Sequence, residues 1–301
     1  MEKSWAEIRV ETPSFLAESI VRFLIEEGSP GVIQEEGERL QGQSRERVIG
    51  YYRPDRSLRA KKLRIQKFIQ ALQDAFNSCL VVHWREIKEE KWGEAWKENF
   101  KTLHVGDRLV IRPPWERHSP SSHERVVVID PGMAFGTGSH PSTRMCLEFL
   151  EEILSARSPG LSLLDVGTGS GILAIAGFKL GADPIWALDI DPTALRYARK
   201  NARANGIRRG IEFRLGSPGS VRRVFDIVVA NLLPQELLKL APSIARRVGA
   251  PGFLIVAGLL DSQRDEIIGA FSSMGLKLCR GKKSDGWASL LFQRGAKKNA
   301  K

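Results

Sequence analysis

The stretch Leu161-Ser-Leu-Leu-Asp165-Val-Gly167-Thr-Gly169-Ser-Gly171-Ile-Leu173 decides the fold of this chain. An apolar run, Leu161 to Val166, breaks into three alternating glycines and then resumes as a helical pattern. A strand that ends in closely spaced glycines and opens a helix lets backbone approach a bound nucleotide. The dinucleotide fingerprint Gly-x-Gly-x-x-Gly would place its third glycine at Ile172, so that reading fails. Alternating glycines, with Asp165 two positions before the first, suit a cofactor with no pyrophosphate for the helix dipole to hold. S-adenosyl-L-methionine fits, with its amino-acid end near Gly167 and Gly169 and its ribose reaching the next strand. An ordinary strand-to-helix turn accounts for one glycine and poorly for three.

That next strand is Ile185-Trp-Ala-Leu-Asp189. A carboxylate at its end can accept both ribose hydroxyls. Asp191 competes for the role, but Asp191-Pro192 before a helical pattern reads as an N-cap with proline at the first helical position. Asp189 is therefore taken as the ribose ligand and Asp191 as the cap.

Outward from this turn the chain alternates. Strands are expected at Leu161–Val166, Ile185–Asp189, Ile211–Leu215, Phe225–Ala230, Phe253–Gly258, Leu276–Arg280 and Ala288–Gln293, with helices between the first six. Such alternation means parallel strands with right-handed crossovers. Only a short turn separates the last two, which makes them a hairpin and the final strand antiparallel. The expected fold is α/β: a seven-stranded Rossmann-like class I methyltransferase sheet.

The first ninety residues read as β-α-β-β-α-β, the ferredoxin-like α+β unit, with helices at Phe15–Glu27 and Leu58–Phe76. The second helix is expected to bury Ile65, Phe68, Ile69, Leu72 and Phe76. This part holds no glycine-rich loop and no cluster of titratable groups, so recognition is expected of it and chemistry is not. A charged helix over Lys88–Glu98, with Trp92, Trp96 and Phe100 on one stripe, leads to a strand pair, Leu103–Arg112 and Arg125–Ile129. The expected domains are 1–90, a linker with the strand pair at 91–125, the cofactor-binding domain at 126–294 and a basic tail at 295–301.

At 301 residues, 42% hydrophobic and 27% charged, the chain is of two-domain size and of globular composition. No apolar run approaches a membrane span or a targeting core, so a cytoplasmic monomer with no membrane contact is expected. Cys79, Cys146 and Cys279 lie far apart, which indicates neither a disulfide framework nor a zinc site, and no metal is expected. The net charge of +11 is uneven: residues 1–90 balance fifteen basic against fifteen acidic residues, whereas Arg196–Arg223 holds nine basic residues and one acid, Glu212. Such a surface suits a weak contact with RNA or a ribonucleoprotein. A solvated arginine-rich helix face explains it equally, and is preferred for want of interleaved aromatics.

The strand ending Val228-Val-Ala-Asn231 continues into Leu232-Leu233-Pro234. An Asn at this strand end can accept a hydrogen bond from an amine and orient its lone pair for attack. Base-amine methyltransferases place paired prolines and a stacking aromatic here. Their absence favours an aliphatic or protein amine over a nucleobase. The competing reading is an Asn that caps a helix over Gln235–Arg246.

A second glycine-containing stretch, Asp130-Pro-Gly-Met-Ala-Phe135-Gly-Thr-Gly-Ser-His140-Pro-Ser-Thr143, lacks the lysine of a phosphate loop. It reads as a lid in which Phe135 shields the methyl group and Thr143 donates a hydroxyl. His140 is a candidate base, but is read first as a satisfied residue at a helix start.

These motifs, with Trp92-x-x-x-Trp96-Lys-x-x-Phe100, Leu188-Asp-Ile-Asp-Pro192 and Ala230-Asn-Leu-Leu-Pro234, resemble the bacterial ribosomal protein L-eleven methyltransferases over nearly the whole chain. The resemblance implies that Thr143, Gly167, Asp189 and Asn231 are cofactor-binding positions. It also implies that the amino-terminal domain recognises a large-subunit ribosomal protein, and that the product is a trimethylated lysine or α-amine. Two other readings stay open: an RNA base methyltransferase, and a non-catalytic ribosome-associated module that retains the fold.

Overall fold

A computed structural model describes residues 4–29, 32–36, 45–88, 100–130, 138–157 and 159–296. By contacts the chain divides into two compact units, Met1–Lys101 and Thr102–Lys301.

The first unit contains β1 (Ser4–Pro13), α1 (Ser14–Glu26), β2 (Val32–Glu36), β3 (Arg45–Tyr52), α2 (Leu58–Phe76) and β4 (Val81–Lys88). Its antiparallel sheet runs β2-β3-β1-β4, as a ferredoxin-like fold requires. Strand alternation sends Ile8 and Val10 to one face, where Leu16, Ile20 and Leu24 of α1 are also buried. Gly50 is small because a Cβ there would lie 3.0 Å from Leu24 Cδ1. The stripe of α2 is narrower than expected: only Ile65 and Ile69 are buried, and Phe76 is 51% exposed. Phe68 instead stacks on Phe23 of α1 at 3.9 Å, and Phe76 meets Phe15 edge-on at 5.7 Å. The aromatics thus join helix to helix and leave the sheet to the two isoleucines. Trp5, Ile33, Ile49 and Tyr51 form a second cluster with Ile87 and Phe100. Trp92 and Trp96 lie outside the described residues.

In the second unit, Leu103–Arg112 is two strands, β5 (Leu103–Val105) and β6 (Leu109–Arg112), broken by Gly106 at φ 62. With β7 (Arg125–Val128) they make a three-stranded sheet in place of the expected pair. Then follow α3 (Pro141–Ser155), β8 (Leu163–Val166), α4 (Ile172–Lys179), β9 (Ile185–Asp189), α5 (Pro192–Ala204), β10 (Ile211–Leu215), β11 (Phe225–Asn231), α6 (Pro234–Ala245), β12 (Val248–Leu260), α7 (Arg264–Ser272), β13 (Lys277–Ser284) and β14 (Trp287–Arg294). No α-helix separates β10 from β11. A single 3-10 turn, Pro218–Ser220, makes that crossover, because proline and glycine leave no helical run.

The large sheet runs β10-β9-β8-β11-β12-β14-β13, and β14 alone runs against the direction of the other strands. The hairpin turn that reverses it holds Asp285 at φ 50 and Gly286 at φ 82, the positive angles a two-residue hairpin loop demands. One face of the sheet packs with residues of α3, α4 and the small sheet, the other with α6 and α7. Helix α4 is apolar on every side and buried throughout its first six residues, between sheet and small sheet. The carboxyl ends of β8, β9 and β11 therefore open on one edge, with Gly167, Asp189 and Asn231 upon it.

Candidate active site

The glycine turn after β8 is held from beneath. Gly167, Gly169 and Gly171 have φ 73, 52 and 84, angles that L side chains rarely adopt. The N–H groups of Gly167 and Thr168 both donate to Leu188 O on β9, at 2.9 and 2.8 Å. A Cβ on Gly167 would lie 2.4 Å from Leu232 Cδ2, so the residue after Asn231 packs directly against the turn. Asp165 is fully buried below it, where Thr168 Oγ1 donates to its Oδ2 at 2.6 Å and Ala174 N–H at 3.2 Å. Its Oδ1 has no hydrogen-bond partner among the described residues. Burial pushes the Asp165 carboxyl up to about 7, against those two hydrogen bonds.

Asp189 is braced by backbone on both oxygens. Gly169 N–H donates to Oδ2 at 2.9 Å and Asp191 N–H to Oδ1 at 3.0 Å. A carboxylate offers about four acceptor positions, so two remain for a ligand's hydroxyls. Asp191 is exposed and caps α5 by accepting Thr193 N–H at 2.7 Å, with Pro192 in the first turn.

Asn231 ends β11, and its Nδ2 donates to Thr143 Oγ1 at 3.2 Å. Its Oδ1 is buried with no partner among the described residues. It does not cap the following helix: α6 begins at Pro234 with Leu233 at the cap position and no side-chain cap. Gly258 at the end of β12 permits this placement, since a Cβ there would lie 2.4 Å from Leu232 O and 3.0 Å from Asn231 Oδ1. Thr143 and Asn231, far apart in sequence, therefore meet across the top of the sheet.

His140 caps α3. Its Nδ1 accepts from Ser142 N–H at 3.2 Å, and its ring meets Trp287 edge-on at 4.6 Å. Burial brings the imidazole down to about 4, so it is neutral near pH 7 and has its Nδ1 lone pair engaged. That is a structural residue and a poor base. Gly138, at φ 94, lies against Ile111 and Ile172, where a Cβ would come within 3.0 and 3.1 Å of their side chains. Phe135 lies outside the described residues.

Sequence reading missed Asn201. This buried residue of α5 accepts Asp130 N–H at 3.0 Å and donates to Ser170 O at 2.9 Å, which ties the start of one loop to the other. One turn on, Asn205 accepts Val128 N–H at 2.8 Å and donates to Val128 O at 2.7 Å. The only sequence signal was two amides spaced i, i+4 in an amphipathic helix.

Comparison with known proteins gives this site its context. The family model described as Ribosomal protein L11 methyltransferase (PrmA) matches residues 4–295. This chain belongs to the ribosomal protein L11 methyltransferase family. A relative of that name from Geobacter metallireducens is 36% identical over 305 residues, covering 98% of this chain and 100% of its own. Another from Citrifermentans bemidjiense is 37% identical over 306 residues, covering 98% and 99%. A solved ribosomal protein L11 methylase from Lactobacillus delbrueckii subsp. bulgaricus superposes with a TM-score of 0.60 at 32% identity, over 65% of this chain and 100% of that one. As a member of the ribosomal protein L11 methyltransferase family, the chain is an S-adenosyl-L-methionine-dependent methyltransferase. The residues present suit that cofactor: a positive-φ glycine turn and a braced carboxylate with acceptor positions to spare.

Proposed function

We propose that this chain N-methylates lysine side chains and/or the N-terminal α-amine of the large-subunit ribosomal protein L11. Asn231 carries the reading. Its nitrogen is engaged by Thr143, so its buried oxygen is the atom left to accept an N–H from an incoming amine. Around it, Asp189 would hold the ribose hydroxyls, the backbone of Gly167 and Gly169 would receive the amino-acid end, and Thr143 would contribute its hydroxyl. When bound, the cofactor supplies an electrophilic methyl group on a sulfonium. An unperturbed lysine has a pKa near ~10.4, so the amine must shed a proton before it can attack. Desolvation in the cleft favours that loss, and water takes the proton because His140 is committed to its cap. The protein's part is then positioning.

A nucleobase acceptor fits less well. Pro234 stands where such enzymes have the stacking aromatic, and Leu232 turns against Gly167, so no ring follows Asn231 for a base to stack on. Residues 1–90 would recognise the protein substrate, and we infer a cytoplasmic monomer whose basic surface touches RNA weakly. Incubation of the enzyme and labelled cofactor with the free ribosomal protein, or with protein-free RNA, tests the reading. Label is expected in the protein, and label in RNA alone would overturn it.

A further inference from the structure

The stretch Arg196–Arg223, with nine basic residues and one acid, folds around one edge of the large sheet. Arg196, Arg199 and Arg203 stand on α5, Arg208 and Arg209 in the turn to β10, and Arg222 and Arg223 just before β11; all seven are exposed. Among the described residues none of the seven has a carboxylate partner, whereas Lys200 is held by Asp130 and Arg214 by Glu212, each at 2.7 Å. Uncompensated like charges in one array repel one another, and a solvated helix face normally intersperses acids to relieve this.

The aromatics that seemed missing from the stretch come largely from neighbouring strands. Arg214 lies 3.3 Å over the Trp186 ring, Arg199 5.8 Å over Phe213 and Arg223 5.6 Å over Phe225. Phe213 packs with the α4 side of the sheet and Trp186 with the α6 side, so the stacked Arg199 and Arg214 flank the edge strand β10 on both faces, while Arg223 over Phe225 stands on the α6 side at β11. Arg199 also donates to the carbonyl of Phe213 at 2.9 Å. A guanidinium set over a ring is oriented in advance, with in-plane donors left for a phosphate. A small anion would engage one or two of these arginines, whereas a polyphosphate backbone can engage the whole arc.

We propose that the α5–β10 edge is a binding surface for the phosphate backbone of RNA, read by charge and without base specificity. It is separate from the amine site: three strand spacings, about 14 Å, lie between β10 and β11. It deepens the weak RNA contact inferred above and does not depend on the amine site.

The test is fluorescence anisotropy with a labelled oligouridine and a short RNA duplex across a salt series. It compares the full chain with R203E/R208E/R209E and with R56E/R59E/K67E, an equal charge change in the first unit. The first variant is expected to bind about tenfold or more weakly, with the log–log salt slope shallower by about 2, and the second to change by no more than about twofold. Equal losses in both variants would overturn the proposal, because net charge alone would then explain binding. Displacement of the RNA by polyglutamate of equal charge would also overturn it, in favour of an acidic protein partner. Circular dichroism checks folding. R208Q/R209Q, expected to weaken binding in the same direction, carries the test if the triple variant does not fold. Methylation of the free ribosomal protein by R203E/R208E/R209E reports separately on the amine reading.

Discussion

Asp189 receives one backbone N–H on each oxygen, so its orientation is set before any ligand arrives. Asp189→Ala is expected to weaken S-adenosyl-L-methionine binding by roughly 1–3 kcal/mol, the range for lost charge-assisted hydrogen bonds. Calorimetric titration checks this, and unchanged affinity would remove the ribose role. Asn231 acts differently, because its free oxygen faces the amine in the proposed reading. Asn231→Ala should lower kcat far more than it lowers cofactor affinity, and single-turnover kinetics at saturating cofactor separate the two. Asp165 gives a pH signature. With its native value raised from the ordinary 3.8 to about 7, the folded state holds a proton that the unfolded chain has released across that window. Its contribution to stability is therefore present at low pH and lost as pH rises toward 7. His140, lowered from 6.5 to about 4, works in the opposite sense and loses its contribution as pH falls. Asp165→Asn should consequently remove the falling component alone, and urea denaturation from pH 4 to 7 should show the variant losing less stability than the parent as pH rises.

Three helices begin at the rim of the site, and each opens with proline: Pro141 in α3, Pro192 in α5 and Pro234 in α6. Proline at the first helical position sacrifices an N–H that has no helical partner anyway and presets φ. The three starts are thereby fixed relative to the strand ends that hold Gly167, Asp189 and Asn231. Capping differs among them, with His140 and Asp191 supplying side-chain acceptors and Leu233 none. Helix α5 also secures the small sheet, since Asn205 exchanges two hydrogen bonds with the backbone of Val128 as a neighbouring strand would. Asn205→Ala would leave a strand N–H and C=O unpaired and should destabilise the fold by about 1–3 kcal/mol, measured by chemical denaturation.

At the scale of the whole molecule, the proposed reading gives chemistry to the second unit and substrate recognition to the first. The unit Thr102–Lys301 holds the glycine turn, Asp189, Thr143 and Asn231, together with its own two-sided core. Expressed alone, these residues should fold, bind the cofactor and methylate the ribosomal protein poorly. The expected reason is effective concentration, since in the proposed reading a tethered recognition domain would keep the substrate near the cleft. Circular dichroism, calorimetry and methylation assays read the three outcomes in turn. Protein methylation as efficient as that of the full chain would place recognition in the second unit.

Periodicity and punctuation alone determined much of this protein. Alternating strands and helices mark the large sheet as mostly parallel, the hairpin-length gap before β14 marks its one reversed strand, and Gly167 through Gly171 mark the candidate ligand edge. Those signals are local: a strand alternates, a glycine permits positive φ, a proline starts a helix. Asp191 was legible as a cap for the same reason, its hydrogen bond being to a residue two positions on. Tertiary structure decided what depends on distant partners. Asn231 is free of the cap because α6 starts only at Pro234, and it meets instead Thr143, brought from α3. His140 lost its claim as a base through burial and a neighbouring Trp287, from the far end of the chain. Asn201 gained its role only when Asp130 and Ser170 were folded onto it, and the arginines of α5 and β10 met their aromatics only across strands. Local chemistry is written in consecutive residues, whereas desolvation and long-range hydrogen bonding exist only after the chain has closed on itself.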